Sequence, residues 1–139
     1  MAAPNPTPIM SRVGDIQWGT TTVATANTAK DGTGTVLTAF TADATNGGFV
    51  QRIRFRAAGT NIATVARVFI NNGSTNTTAA NNILWDEITL AATTLSEVAA
   101  LATYELPLNF ALPPGYKLNV TVGTTVAAGY YVSVIGGKY

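Results

Sequence analysis

The sequence predicts an all-β chain: a single antiparallel β-sandwich or jelly roll of about eight strands over residues 15–139, behind an extended N-terminal arm at residues 1–14. Three observations predict it. Short β-type runs recur along the chain at spacings of roughly 8–15 residues, with turn signals between them. Two of these runs, Phe49 to Ala58 and Tyr116 to Val122, alternate side-chain character with period two, as half-buried strands do. Ala and Thr together make up roughly a third of the chain, and threonine favours strands. A length of 139 residues suits one domain. There is no Cys…Trp…Cys spacing, which argues against an immunoglobulin-type sandwich.

The elements follow in order. Pro4, Pro6 and Pro8 alternate near the start; they forbid helix and favour an extended, polyproline-like segment. It reads either as a free tail or as an arm that orders on a neighbouring subunit or a larger assembly. Ile16 to Ala26 is a Thr-rich strand-like run carrying Trp18, and Asp31-Gly32 centres a turn. Thr35 to Thr41 is the next strand, and Asp43 to Gly48 the next loop. Phe49 to Ala58 sets Phe49, Gln51, Ile53 and Phe55 on one face and Val50, Arg52, Arg54 and Arg56 on the other. Thr64 to Asn71 is a strand. The polar segment Asn71 to Asn82 is long enough to be read as a functional or mobile loop. Ile83 to Leu90 is a strand containing Trp85. Leu95 to Tyr104 reads as one helical turn or a strand, with helix the weaker fit to the β context. Pro107 makes Glu105 to Phe110 an edge strand or a bulge. Leu112-Pro-Pro-Gly115 is a turn, and Tyr116 to Val122 and Gly129 to Ile135 close the domain.

Composition bounds the function. Hydrophobic residues make up 47% of the chain, enough for a real core, and only 11% is charged, against roughly 25% in an ordinary soluble domain. A net charge of +1 argues against an electrostatically driven nucleic-acid binder. With no cysteine and no histidine, disulfides, Cys- or His-based zinc and haem sites, thiol nucleophiles and His-based acid–base chemistry are excluded. No membrane-spanning stretch or signal peptide is legible, so the expectation is a product made in a cytoplasm, without membrane or nucleic-acid partners. Asp86 and Glu87 are adjacent and face opposite sides of a strand, so they are not by themselves a glycosidase pair; Glu97 and Glu105 are the acids that could approach them. Asp43 to Gly48 lacks the alternating acids of a calcium loop. No catalytic, cofactor-binding or metal residue is assigned, and the chain is expected not to be an enzyme.

Two constellations remain. Arg52, Arg54 and Arg56 point the same way in a strand and form a ladder about 13 Å long, at roughly 3.3 Å per residue. It reads as a solvated face balanced by cross-strand carboxylates, or as an interface for an acidic partner or neighbouring subunit, with Arg67 extending it on the adjacent strand. Trp18, Trp85, Tyr104, Tyr116, Tyr130, Tyr131 and Tyr139 include candidates for a sugar-stacking platform, although such residues more often anchor cores or interfaces.

Four segments carry a resemblance: Arg67-Val-Phe-Ile-Asn-Asn-Gly-Ser; Asn81-Asn-Ile-Leu-Trp-Asp-Glu-Ile-Thr-Leu; Glu105-Leu-Pro-Leu-Asn-Phe-Ala-Leu-Pro-Pro-Gly-Tyr; and Ala127-Ala-Gly-Tyr-Tyr-Val-Ser-Val-Ile-Gly-Gly-Lys-Tyr. Together the stretch from Val50 to Tyr139 resembles the small jelly-roll structural proteins of tailed-bacteriophage virions. The resemblance implies a non-enzymatic decoration, or cement, protein without cofactors, located on the capsid surface of the virion. Its implied partners are the phage major capsid protein and further copies of itself, as a homotrimer. The arm residues Ala2, Pro4, Asn5, Pro6, Pro8, Ile9 and Met10 would contact the capsid lattice or a neighbour, and Arg52, Arg54, Arg56 and Arg67 are the candidate interface. The alternative is a receptor- or carbohydrate-binding jelly roll of a tail or head fibre, using Trp and Tyr side chains and the Asn71 to Asn82 loop. A self-polymerising capsid or pilus-like subunit is a third reading.

Overall fold

The computed structural model describes residues 13–139. Eight strands run in order: β1 (Val13–Trp18), β2 (Leu37–Thr41), β3 (Gly48–Ala57), β4 (Thr64–Asn71), β5 (Asn82–Leu90), β6 (Thr103–Leu112), β7 (Lys117–Val122) and β8 (Tyr130–Lys138). A single 3-10 turn, Ala79–Asn81, precedes β5. The strands form two four-stranded sheets, β1-β8-β3-β6 and β2-β7-β4-β5, with every pairing antiparallel. Each strand of the first half pairs with its mirror partner in the second: β1 with β8, β2 with β7, β3 with β6, β4 with β5. That nested pairing, folded over into two sheets, is the jelly roll. Among the described residues no helix is long and apolar enough to cross a membrane.

The core lies between the sheets. Ile53, Phe55 and Val132 from the first meet Phe40, Val68 and Val120 from the second, all essentially without solvent exposure. Each such side chain contributes about 1.5–3 kcal/mol by leaving water. Period-two burial is regular in β8, where Tyr130, Val132 and Val134 are inside and Tyr131 is exposed, as the sequence predicts.

In three places the expected elements shift. The run Ile16 to Ala26 is a strand only to Trp18. Beyond it the chain changes sheets: the Val23 N–H donates to the Tyr130 carbonyl of β8, and the Asn27 N–H donates to the Val122 carbonyl of β7. A segment crossing the sandwich cannot hold one continuous ladder, however strand-like its threonines. Residues 91–102 are a loop, pinned by a bridge between Asn61 and Thr93, and β6 begins only at Thr103. β6 is an edge strand, and Pro107 sits in it opposite Arg52.

The third shift lies in β3. Val50 and Arg52 pair with consecutive residues of β8, Gly136 and Ile135, so Gln51 is an extra residue and forms a β-bulge. The bulge resets the alternation. Val50, Ile53, Phe55 and Ala57 are buried, whereas Gln51 is exposed and Phe49 half-buried. Phe49 and Gln51 therefore do not share the inner face with Ile53 and Phe55, as simple alternation expects.

Candidate functional site

The arginine ladder forms on the outer face of the first sheet. Arg52 sits opposite Pro107 of β6, Arg54 opposite Glu105 and Arg56 opposite Thr103. Glu105 serves two of the three: its Oε1 lies 3.4 Å from Arg54 Nε and its Oε2 3.6 Å from Arg52 Nε. Arg56 donates to Thr103 Oγ1 at 2.9 Å. Among the described residues one carboxylate thus pairs with two of the three guanidinium groups. These pairs are half-exposed, so each contributes only about 0–1 kcal/mol to stability. At the bulge, Gln51, Arg52, Glu105, Pro107 and Asn109 line a shallow cleft of about 340 Å³.

The other half of this face is apolar. Across from the ladder on β8 stand Ile135, Ser133 and Tyr131, and beyond them on β1 stand Ile16, opposite Ile135, and Trp18, opposite Ser133. Ile16 is 61%, Trp18 68% and Tyr131 60% exposed. An apolar column therefore runs beside a basic one on a hydrogen-bonded surface. Sequence reasoning found the basic column and missed the apolar one. Its signal was the alternation Gly14, Ile16, Trp18 in β1, which only the pairing with β8 assigns to the outer face.

The second sheet is covered on its outer side over β7 and the adjoining part of β4. Phe69 alternates with the core-facing Val68 and lies outside the inter-sheet cluster, yet it is fully buried, as are Asn119 and Thr121 beside it. The chain between β1 and β2 accounts for this. It leaves the Val122 end of β7 at Asn27 and reaches the β4–β5 connection at the opposite end of the sheet. There Asn76 Nδ2 donates to the carbonyls of Gly32 (3.1 Å) and Gly34 (2.7 Å), and Asn82 Nδ2 to that of Asp31 (3.2 Å). Asn71 Nδ2 donates to Asn82 Oδ1 at 2.7 Å. The Asn71 to Asn82 segment is thus a hydrogen-bonded buttress rather than a bare loop.

Arg67 does not extend the ladder. It lies on β4 in the second sheet and binds Glu87 through Nε at 3.1 Å. β3 and β4 are neighbours in sequence, but the connection between them crosses the sandwich. The expected arm contacts Ala2, Pro4, Asn5, Pro6, Pro8, Ile9 and Met10 lie outside the described residues.

The remaining candidates are dispersed. Trp85 packs edge-on against Phe110, with ring centroids 4.9 Å apart. Tyr130 is buried and donates its hydroxyl to the Ala91 carbonyl at 3.4 Å; burial raises its pKa. Among the described residues no group of three or more His, Cys, Asp or Glu side chains could hold a metal. Asp43 instead caps its own turn, accepting the N–H groups of Asn46 (2.9 Å) and Thr45 (3.2 Å). Those bonds hold its carboxyl below the usual carboxylate range, as the Thr33 hydroxyl and N–H do for Asp31.

A pH prediction follows. Both acids are lowered in the folded chain, so their stabilisation is present above the unfolded carboxylate pKa and is lost as pH falls through the folded values. The urea midpoint is expected to decline below about pH 4. Replacing both acids with Asn should flatten that decline in urea titrations; an equally steep fall in the double variant would place the acid sensitivity elsewhere.

No family model, no curated protein and no solved structure matches this chain.

Proposed function

We propose that the protein is a non-enzymatic structural component of a tailed-phage virion, a decoration protein that binds the major capsid protein on the outer head surface and stabilises the shell. The observation that carries this reading is the outer face of the β1-β8-β3-β6 sheet, which no other described element covers. Large apolar side chains and arginines stand there side by side on a hydrogen-bonded ladder, a surface suited to bind by area. Stable protein contacts commonly cover about 800 Å² per partner, and exposed apolar patches of this kind mark interaction sites. The resemblance of residues 50–139 to small virion proteins supplies the assembly, and the Pro-rich segment before Val13 supplies a second contact with it. Several linked copies would gain avidity without any new type of contact.

The test is co-sedimentation of purified protein with expanded, undecorated phage heads, with host cells in parallel. The expected result is saturable binding to heads at a fixed copy number and none to cells, weakened strongly when residues 1–10 are deleted while the thermal melt is unchanged. Binding to cells alone would overturn the reading and favour the receptor- or glycan-binding alternative, with Trp18 and Tyr131 as its exposed rings. Full head binding without residues 1–10 would remove the arm from the mechanism.

A further inference from the structure

We infer that the free edge of β1 is a strand-addition site, and that its occupant is the chain's own N-terminal segment, residues 1–12, folded back antiparallel on β1. The two sheets have four edges, β1 and β6 on the first, β2 and β5 on the second. An unpaired edge strand is a template for any extended backbone, so folded chains blunt their edges. Three of these four are blunted. β6 carries Pro107 and a bulge, with Asn109 in the left-handed region at φ 54°. β5 has a bulge that puts Trp85 out of register. β2 is bulged between Thr38 and Phe40, and the Gln17 side chain takes up the Thr41 N–H (2.9 Å) and carbonyl (2.8 Å).

β1 has none of these devices. It is six residues long, pairs with β8 without a register shift, and contains no proline, lysine or arginine. Its one charge, Asp15, accepts from Gln17 Nε2 at 3.0 Å. The direction of its free groups follows from the register. The Gly19 N–H donates to the Val132 carbonyl, and the β1–β8 pairs continue that register. Hydrogen-bonded and non-hydrogen-bonded pairs alternate along an antiparallel ladder. Asp15 and Gln17 therefore bond to β8, while the N–H and carbonyl groups of Gly14, Ile16 and Trp18 point away from it. Among the described residues no group bonds to them. A Cβ on Gly14 would meet nothing within 4 Å, so the flank is open. Regularly spaced donors and acceptors of this kind are matched by a second extended backbone.

The segment that leads into β1 has the complementary pattern. Its prolines, Pro4, Pro6 and Pro8, occupy even positions only. Residues before proline favour extended backbone, and successive N–H groups of an extended chain point to opposite sides. All three prolines thus remove donors from one side, while Asn5, Thr7 and Ile9 keep theirs on the other. Folded back through residues 10–13, the segment sets Ile9, Thr7 and Asn5 opposite Gly14, Ile16 and Trp18. Each free donor and acceptor of those three residues then has a partner. The prolines line the new outer edge, a place where a strand tolerates them, and that edge offers no donors there to a further strand. Ile9 comes to lie over Gly14, next to the exposed Ile16.

The same segment of a second copy would match this edge as well. The chain's own segment is joined to it through residues 10–13, a short connection that gives an effective concentration on the order of millimolar, so the fold-back prevails at lower protein concentrations. The inference needs no capsid and stands apart from the virion reading. A docked segment widens the outer face by one strand and stays beside any partner bound there.

Amide hydrogen exchange of the full chain, followed residue by residue by NMR at ordinary temperature, tests it. The N–H groups of Gly14, Ile16 and Trp18 should exchange at least about tenfold more slowly than in a chain lacking residues 1–10. Those of Asp15 and Gln17, bonded to β8, should be slow in both and report an intact sheet. Thr7→Pro puts a proline on the pairing side and should abolish the protection as the deletion does. Pro6→Thr alters only the outer side and should leave it in place. The protection should also survive dilution. At the melting temperature the entropy of holding the segment outweighs its solvent-exposed hydrogen bonds, so the thermal melt is not the readout. Equal exchange with and without residues 1–10, or full protection in Thr7→Pro, would overturn the inference. So would protection that disappears on dilution, which would make the occupant the segment of a second copy.

Discussion

Replacing Asn61 with alanine is expected to cost about 3–4 kcal/mol, lowering the melting temperature by roughly 10 °C for a chain of this size. Asn61 is buried, and its side chain replaces backbone pairing where three connections converge. Its Oδ1 accepts the N–H groups of Ala128 and Gly129, both at 2.9 Å. Its Nδ2 donates to the carbonyls of Gly129 (3.0 Å) and Gly59 (3.4 Å). Its backbone exchanges two hydrogen bonds with Thr93, whose hydroxyl also donates to Gly59. The side chain thus ties the β3–β4 and β7–β8 connections together, while the Asn61 backbone ties in the β5–β6 connection. Alanine would leave these buried backbone groups without partners, at about 1–3 kcal/mol for each group water cannot reach. Aspartate would keep the acceptor but lose the donor and bury a charge, so it should be no better. Urea and thermal melts measure the loss; a drop below about 1 kcal/mol would mean that water takes over the amide's role.

The same residue shows where sequence reading stops. Period-two alternation and turn chemistry expose the strands, because both are local. Thr64 to Asn71 is legible to the residue, as is the inside–outside order of Tyr130 to Ile135. Asn61 looks like an ordinary loop asparagine, since its partners lie 67 and 68 residues away. Arg67 looks like a neighbour of the ladder because sheet membership is a long-range property; only hydrogen bonding separates β3 from β4. The basic half of the candidate face is visible as Arg-x-Arg-x-Arg. Its apolar half requires β1 and β8 to be paired as Ile16 with Ile135, 119 residues apart in the chain.

The bulge in β3 is the feature hardest to read and the one that aligns the face. Pairing Val50 with Gly136 and Arg52 with Ile135 brings the arginine column level with the apolar column on β8. Without the extra residue Gln51, the strand beyond it would show the opposite face. Burial would then favour the slipped register wherever it put Ile53 and Phe55 inside, so the bulge is part of the core's design as well as the surface's.

Gly136→Ala is expected to cost about 3 kcal/mol, the upper part of the range for overpacking a close-packed site. A Cβ at this position would overlap the Phe49 carbonyl oxygen and lie 3.4 Å from Val50 Cα. Both are backbone atoms, so no side-chain rotation relieves the contact. β8 has to move away from β3, which strains the Phe49–Gly137 and Val50–Gly136 pairings that frame the bulge. Gly14 supplies the control. It sits in β1 of the same sheet, opposite Gly137, and a Cβ there meets nothing within 4 Å. Gly14→Ala should therefore be neutral or stabilising by about 0.4–1 kcal/mol, through the reduced freedom of the unfolded chain. Parallel urea melts separate the two. Equal effects would show that the close approach of β8 to the Phe49 carbonyl relaxes freely. A loss confined to Gly136→Ala would tie the bulge to the stability of the sheet through the close approach of β8 to the Phe49 carbonyl.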